Sequence, residues 1–211
     1  MKCKLITTAS NIDKTDMLQK SLKKYGWEYE ILVHKWEGFG DKILKTYQYL
    51  KNNPDIDYFF YSDSYDTIVL DTMENTLKKI EDKNCILMSA ERGCYPHPEK
   101  ESIYPKHDSP WHFVNGGGWF CNSEIFKLAV ELNPLQSHDV DQVWFTDLFL
   151  NNPDFVKLDY NCDVFQTIAF CPESDFKIVD NTKVLNTVTK TYPSWIHGNG
   201  HTPMTEYNKL I

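Results

Sequence analysis

Tyr58-Phe59-Phe60-Tyr61-Ser62-Asp63-Ser64-Tyr65-Asp66 is an aromatic, apolar run that stops abruptly at two carboxylates three positions apart. The run reads as a buried β-strand that delivers Asp63 and Asp66 to a sheet edge. Two acids on one turn repel each other unless water or a cation neutralises them, which makes a divalent metal a natural partner. Such hard oxygen ligands suit Mg²⁺ or Mn²⁺, ions that keep coordination positions open for substrate phosphates. An acidic turn capping the next segment has the same spacing, so the rest of the chain has to decide.

Upstream, Lys4 to Ser10 is an apolar run closing in small polar residues, and Asp13 to Tyr25 sets Met17, Leu18 and Leu22 at helical spacing. Tyr29 to Val33 is a second short strand, and His34 to Asp41 is a glycine-punctuated loop leading into a helix over Lys42 to Lys51. This alternation predicts an α/β sheet with helices on its faces and a ligand site outside the carboxyl ends of the strands. Downstream, Ile68-Val69-Leu70 extends the apolar pattern, Thr72 to Lys83 is amphipathic, and Cys85 to Ala90 is a further strand ending at Glu91. Arg92 to His112 is proline-rich, lacks periodicity and reads as a substrate-facing loop. The glycines of Asn115-Gly116-Gly117-Gly118 suit either close backbone approach to a ligand or a bulge. Helices are expected from Asn122 or Ser123 to Leu132 and from Asp139 to Leu150, where Asp139 and Asp141 also suit the helix dipole. Phe155 to Leu158, Val164 to Phe170 and Phe176 to Val179 read as later, partly antiparallel strands. In Trp195-Ile196-His197-Gly198-Asn199-Gly200-His201 a histidine stands between an apolar strand and two glycines that let the backbone turn around a phosphate. A lone histidine is more often a satisfied structural residue than a ligand.

The 211 residues fit one domain, 1–211, with a substantial core. The formal charge of -8 opposes a phosphate backbone and argues against general nucleic-acid binding, while leaving room for a local basic pocket around a diphosphate. Met1 to Ile6 runs straight into Thr7-Thr8 without the apolar stretch of a signal peptide, and no segment approaches a membrane span. A cytoplasmic location is therefore the default expectation. The six cysteines show no C-x-x-C pairing and read mostly as buried thiols in a reducing compartment.

Taken in order, Asp63-Ser64-Tyr65-Asp66, Ser89-Ala90-Glu91 with Cys94 and Pro96, Asn115-Gly-Gly-Gly, Asp139-Val140-Asp141-Gln142, Phe165-Gln166 and His197-Gly-Asn-Gly form a specific set. The set closely resembles the N-terminal glycosyltransferase domain of the procollagen lysyl hydroxylases, over nearly the whole chain, with no counterpart to the hydroxylase part. The resemblance implies a GT-A (Rossmann-like) fold with a mixed central sheet flanked by helices, a Mn²⁺ ion and a UDP-sugar donor. It further implies retaining transfer of glucose from UDP-glucose to galactosylhydroxylysine of collagen. By match of motif, Asp63, Asp66 and His197 are the expected metal ligands, with His201 a bystander. Thr7, Trp36, Lys42 and Tyr65 match positions around UDP, and Gly198 and Gly200 fall where the tail closes over the diphosphate. Glu91, Cys94, Asn115 and the acids Asp139 and Asp141 match the sugar and acceptor side. The family's tryptophan after the matched cysteine is Tyr95 here, its longer aspartate run is cut to Asp139-Val140-Asp141, and a lysine after the H-G-N-G string is Pro203. These departures leave UDP-galactose as an alternative donor, and a sugar-nucleotide or carbohydrate binding module as a non-catalytic alternative.

The chemistry read from the residues agrees. Cleavage at an anomeric carbon leaves a diphosphate whose growing charge a metal on Asp63, Asp66 and His197 stabilises as a Lewis acid, with Lys42 adding to it. Trp36 and Tyr65 are placed to sandwich a uracil. Retention requires either a protein nucleophile, for which Asn115 and Asp141 are candidates, or same-face attack in which the leaving phosphate takes the acceptor's proton.

Overall fold

A computed structural model describes residues 2–211. In chain order the strands are β1 (Cys3–Ala9), β2 (Tyr29–Val33), β3 (Tyr58–Ser62), β4 (Thr67–Val69), β5 (Ile86–Glu91), β6 (Phe113–Asn122), β7 (Val156–Leu158), β8 (Phe165–Thr167), β9 (Phe176–Val179), β10 (Lys183–Asn186) and β11 (Trp195–His197). The helices are α1 (Asp16–Lys24), α2 (Asp41–Asn52), α3 (Met73–Lys78), α4 (Ser123–Leu132) and α5 (Asp141–Asn151). Six strands form a mixed central sheet in the order β2-β1-β3-β6-β5-β7, and β4-β11-β8 form a second, smaller sheet. β3 runs parallel to β1 and antiparallel to β6. The predicted α/β sheet with flanking helices is therefore present.

The unbroken aromatic run of β3 follows from burial on both faces of the sheet. Phe59 and Tyr61 join Ile43 and Leu50 of α2, Phe126 of α4 and Phe145 of α5 in one core. Phe60 points the other way, to Leu18 and Leu22 of α1 and to Trp27 and Trp195. Across the ladder, Tyr61 pairs with Trp119 and their rings stack at 3.8 Å. Each fully buried ring of this kind contributes about 1.5–3 kcal/mol, so the strand is anchored before its polar end is considered.

Several local expectations shift. The Asp13–Tyr25 helix divides into a 3₁₀ turn over Ile12–Thr15 and α1, because the Asn11 side chain caps the turn. The Thr72–Lys83 helix stops at Lys78, and Asp82 turns the chain by accepting the Asn84 amide. The Arg92–His112 segment is not structureless: it carries a 3₁₀ turn over Pro98–Ile103 and buries Tyr104 and Trp111. The strand expected over Val164–Phe170 is confined to Phe165–Thr167, with Phe170 in the left-handed region at φ 59. All six cysteines are free. Among the described residues no helix is long and apolar enough to cross a membrane.

The glycine run lies inside β6. Ser62 pairs with Gly118 on one side, while on the other the register jumps from Met88↔Trp119 to Ser89↔Asn115, leaving Gly116, Gly117 and Gly118 as a bulge in the β5 ladder. The bulge is the alternative found, and the close approach these glycines allow is to a side chain, since a Cβ on Gly117 would overlap the His197 imidazole and lie 2.7 Å from its Nδ1. His197 is 7% exposed and held in β11, so the ring has nowhere to yield. Gly117→Ala is expected to cost ~1–3 kcal/mol in chemical denaturation, the penalty of overpacking a closed site. Wild-type stability for this variant would show that the ring has room to move.

Candidate active site

Two ladders assemble the acidic turn with the tail histidine. Asp63 directly follows β3, and its N–H donates to the Gly117 carbonyl at 2.8 Å, carrying the β3–β6 pairing one step further. Asp66 directly precedes β4, which pairs antiparallel with β11 so that Thr67 faces His197. The Gly198 N–H then donates to the Asp66 carbonyl at 2.8 Å. As a result Asp63, Asp66 and His197 each present a ligand atom within 4.8 Å of the others. His197 Nε2 lies 3.7 Å from Asp63 Oδ2 and 3.4 Å from Asp66 Oδ1.

Asn115 sets the tautomer of that histidine. Its Oδ1 accepts the Gly117 N–H at 3.0 Å and lies 3.2 Å from His197 Nδ1. An amide oxygen only accepts, so Nδ1 carries the hydrogen and Nε2 turns its lone pair to the carboxylates. Nε2 is buried without a hydrogen-bond partner. An orphaned imidazole nitrogen facing two carboxylates fits a divalent cation of the Mn²⁺ or Mg²⁺ kind, with further positions left for oxygen ligands. Without a cation, burial lowers the imidazole pKa, but Asp66 and Asp63 outweigh it and hold the pKa above the usual histidine value.

Lys42, near the start of α2, is buried between Asp63 Oδ1 at 2.7 Å and Asp141 Oδ2 at 2.9 Å. Burial lowers its pKa, yet Asp141 and Asp63 raise it well above the ordinary lysine value, so the ammonium stays charged. Asp63 thus offers one oxygen to Lys42 and the other to the His197 side.

Above these groups opens a cavity of about 690 Å³ lined by Trp36, Lys42, Asp63, Tyr65, Asp66 and Gly198, among others. Trp36 and Tyr65 are 38% and 39% exposed on it. The Tyr65 hydroxyl accepts the N–H groups of Ser10 and Asn11 at 2.8 and 2.9 Å, which fixes the ring against the end of β1. Thr7 does not reach the cavity: it is fully buried, and its hydroxyl donates to the Ser62 carbonyl at 2.6 Å, while Thr8, Ala9 and Ser10 line the space. His201 lies on the lining but outside the Asp-Asp-His cluster. Phe39, Met17 and Met204 also line it. Only Phe39, in the glycine loop beside Trp36, carried a sequence signal for this role.

Behind the cluster, Glu91 is held on both oxygens, by Gln142 Nε2 at 2.5 Å and Asn199 Nδ2 at 2.6 Å. Burial pushes its pKa up to about 7, against the lowering effect of those amides. Gln142 and Asn199 stood inside the D-V-D-Q and H-G-N-G strings without being singled out, and they tie both strings to Glu91. Asp141 is buried in the first turn of α5, where its Oδ1 accepts the Gln142 N–H at 2.8 Å. Asp139 is set apart from it: the helix begins two residues later than expected, and the Asp139 carboxylate accepts the Gln136 N–H at 2.7 Å on a half-exposed turn. Cys94 donates its thiol to the His97 carbonyl at 3.2 Å.

Comparison with known proteins places this geometry. A family described as PLOD GT domain matches residues 2–210. The uncharacterized protein R699 of Acanthamoeba polyphaga mimivirus is 28% identical over 207 residues, covering 90% of this chain and 44% of that protein. Procollagen-lysine,2-oxoglutarate 5-dioxygenase of Drosophila melanogaster is 34% identical over 162 residues, 71% of this chain and 22% of that protein. The corresponding enzyme 1 of Rattus norvegicus is 29% identical over 206 residues, 94% of this chain and 25% of that protein. The chain thus spans less than half the length of these curated relatives. A glycosyltransferase involved in the glycosylation of the major capsid of PBCV-1 superposes with a TM-score of 0.59 at 14% identity, covering 99% of this chain and 98% of that one. The shared architecture is the GT-A fold.

The buried acids make a pH prediction for the metal-free protein. Burial raises Glu91 from 4.5 to about 7 and the fully buried Asp159 from 3.8 to about 6, and His197 is raised as well. Groups whose folded pKa is raised contribute stability that is complete below the unfolded value and lost as pH rises through the folded one. The unfolding free energy of the chelator-treated protein should therefore fall between pH 5 and pH 8 by an amount on the order of a few kcal/mol in total, and its melting temperature should fall with it. A melting temperature that rises over that interval would contradict the assignment of these groups as buried and raised.

Proposed function

The chain belongs to the PLOD GT domain family, and on that premise we propose that it is a UDP-sugar glycosyltransferase built as a single GT-A domain over 1–211. The proposed reaction moves a hexose, glucose in the first place, to galactosylhydroxylysine of a collagen or collagen-like protein with retention of configuration. The observation that carries this reading is the convergence of Asp63, Asp66 and the orphaned Nε2 of His197 beside a cavity of about 690 Å³, a size that suits a nucleotide sugar.

In this reading Trp36 and Tyr65 take the uracil, and Gly198 lets the backbone approach the diphosphate. Asp63, Asp66 and His197 hold Mn²⁺, which when bound supplies Lewis-acid stabilisation to the leaving diphosphate. Lys42 adds a fixed positive charge from the side of α2. The groups on the sugar side are already engaged: Glu91 by two amides, Asn115 Oδ1 by His197 and Gly117, and Asp141 by Lys42 and the Gln142 amide. That leaves no free protein nucleophile among them and favours same-face transfer. The acceptor hydroxyl oxygen bonds to the anomeric carbon as the bond to the β-phosphate oxygen breaks, and the hydroxyl proton passes to that released phosphate oxygen. Glu91, Gln142 and Asn115 then act by shaping and orienting the site.

The test is Mn²⁺-dependent UDP release from UDP-glucose and UDP-galactose, with and without a galactosylhydroxylysine peptide, followed by mass spectrometry of the product. Asp66→Ala and His197→Ala are each expected to lower turnover by at least ~100-fold and to weaken Mn²⁺ binding; the chelated Asp66→Ala protein should melt near wild type, while His197→Ala, which empties a buried position, should melt lower. UDP-sugar binding without UDP release would identify a binding module, and release of inorganic phosphate a phosphohydrolase. Wild-type Mn²⁺ dependence in His197→Ala would remove the histidine from the ligand set.

A further inference from the structure

Phe170 is the most exposed large apolar side chain among the described residues, at 80%, and its backbone occupies the left-handed region at φ 59. Bulky residues avoid that region, and an exposed ring returns no burial to offset the strain, so folding alone does not account for a phenylalanine here. The conformation is nonetheless firmly imposed. The Ile168 and Ala169 N–H groups both donate to Asn199 Oδ1, at 3.2 and 2.9 Å, and the Cys171 N–H closes the turn on the Ile168 carbonyl at 3.3 Å. Asn199 in turn donates to Glu91 Oε2.

The loop that presents Phe170 is therefore fastened to the buried acid behind the metal cluster through one side chain. The ring lies across Gly93, where an added Cβ would sit 3.2 Å from Phe170 Cε2. Gly93 stands two residues after Glu91 and two before Tyr95, whose carbonyl accepts the Gln142 amide at 2.9 Å. Phe170 lies outside the lining of the cavity that holds Trp36, Lys42 and Tyr65. A strained, exposed ring is thus held at the Glu91 rim, apart from the donor cavity.

Resting on the glycosyltransferase reading above, we propose that Phe170 is an acceptor-specificity residue that stacks on the apolar C–H face of the acceptor's terminal hexose. A flat aromatic ring binds such a face with little loss of conformational freedom, and one seated on a hydrogen-bonded turn is already oriented. The occupant is a sugar ring rather than the peptide that bears it, because a single isolated ring matches one pyranose face and not an extended chain.

The experiment compares wild type with Phe170→Ala, Phe170→Gly and Phe170→Tyr in Mn²⁺, using a methyl β-galactoside and a galactosylhydroxylysine peptide as acceptors. Loss of the ring should raise the acceptor KM roughly 5–10-fold for both acceptors, leaving kcat and acceptor-independent UDP release near wild type. Phe170→Tyr should restore the acceptor KM. Phe170→Gly should melt at or above the wild-type temperature, since glycine relieves the positive φ. An unchanged acceptor KM in Phe170→Ala, a penalty confined to the peptide acceptor, or an equal loss of acceptor-independent UDP release would overturn the proposal. If wild type releases UDP but transfers to neither acceptor, the hexose-acceptor reading itself fails, an outcome distinct from any effect of the variants.

Discussion

The antiparallel pairing of β4 with β11 is the constraint on which the site depends. It is a short ladder, three residues on each strand, yet it brings His197 level with Thr67 and so beside Asp66. The second contact of β11, parallel to β8, fixes the same strand from the other side and carries Gln166 and Thr167 into the packing beneath the site. Trp195 contributes the apolar anchor by packing on Trp27, Phe60 and Phe165. Hydrophobic burial at one end of β11 thereby sets the position of a polar imidazole two residues on, which the period of two along a strand places on the same face.

Electrostatics then organise what packing has assembled. Lys42 and Asp141 are both buried, and breaking such a pair by removing one partner typically costs several kcal/mol because the remaining charge is left unpaired. Asp63 and Asp141 share this ammonium, so α2, α5 and the turn after β3 are tied at one point. Glu91, Gln142 and Asn199 repeat the pattern one layer deeper with amides in place of the ammonium. The hydrogen of Gln142 that completes this layer is aimed by the Gly116 amide, which occupies its side-chain oxygen at 3.1 Å.

Legibility in the sequence followed the range of the interactions. The acidic turn was readable because an aromatic strand ending in polar residues is a local pattern, and the alternation of strand and helix through Lys51 gave the layered architecture. What depended on register was harder to read. Thr7 and Thr8 are neighbours on a strand buried on both faces, and a step of one residue moves a side chain from the cavity to the packing against Ser62. Asp139 and Asp141 both suit a helix start, and only the capture of Asp139 by the Gln136 amide separates them. Ile68-Val69-Leu70 read only as an extension of the apolar pattern, because the partner that makes part of it a strand is more than a hundred residues away. Phe170 closed an apolar run that reads as strand, and nothing local shows that the chain turns left-handed there.

The charge around Lys42 has a consequence for the order in which ligands arrive. The carboxylates of Asp63, Asp66 and Asp141 face one ammonium and one imidazole whose pKa they hold up, so the cation-free cluster keeps at least one excess negative charge at the place proposed for a diphosphate. A nucleoside diphosphate approaching this surface alone meets repulsion in a partly buried setting where screening by salt is weak. A divalent cation cancels the excess and turns the same groups into an attractive anchor. Under the proposed function, ligand entry at this cavity would accordingly be sequential, with the cation bound first or carried in on the nucleotide, and the cation-free protein would repel the naked donor.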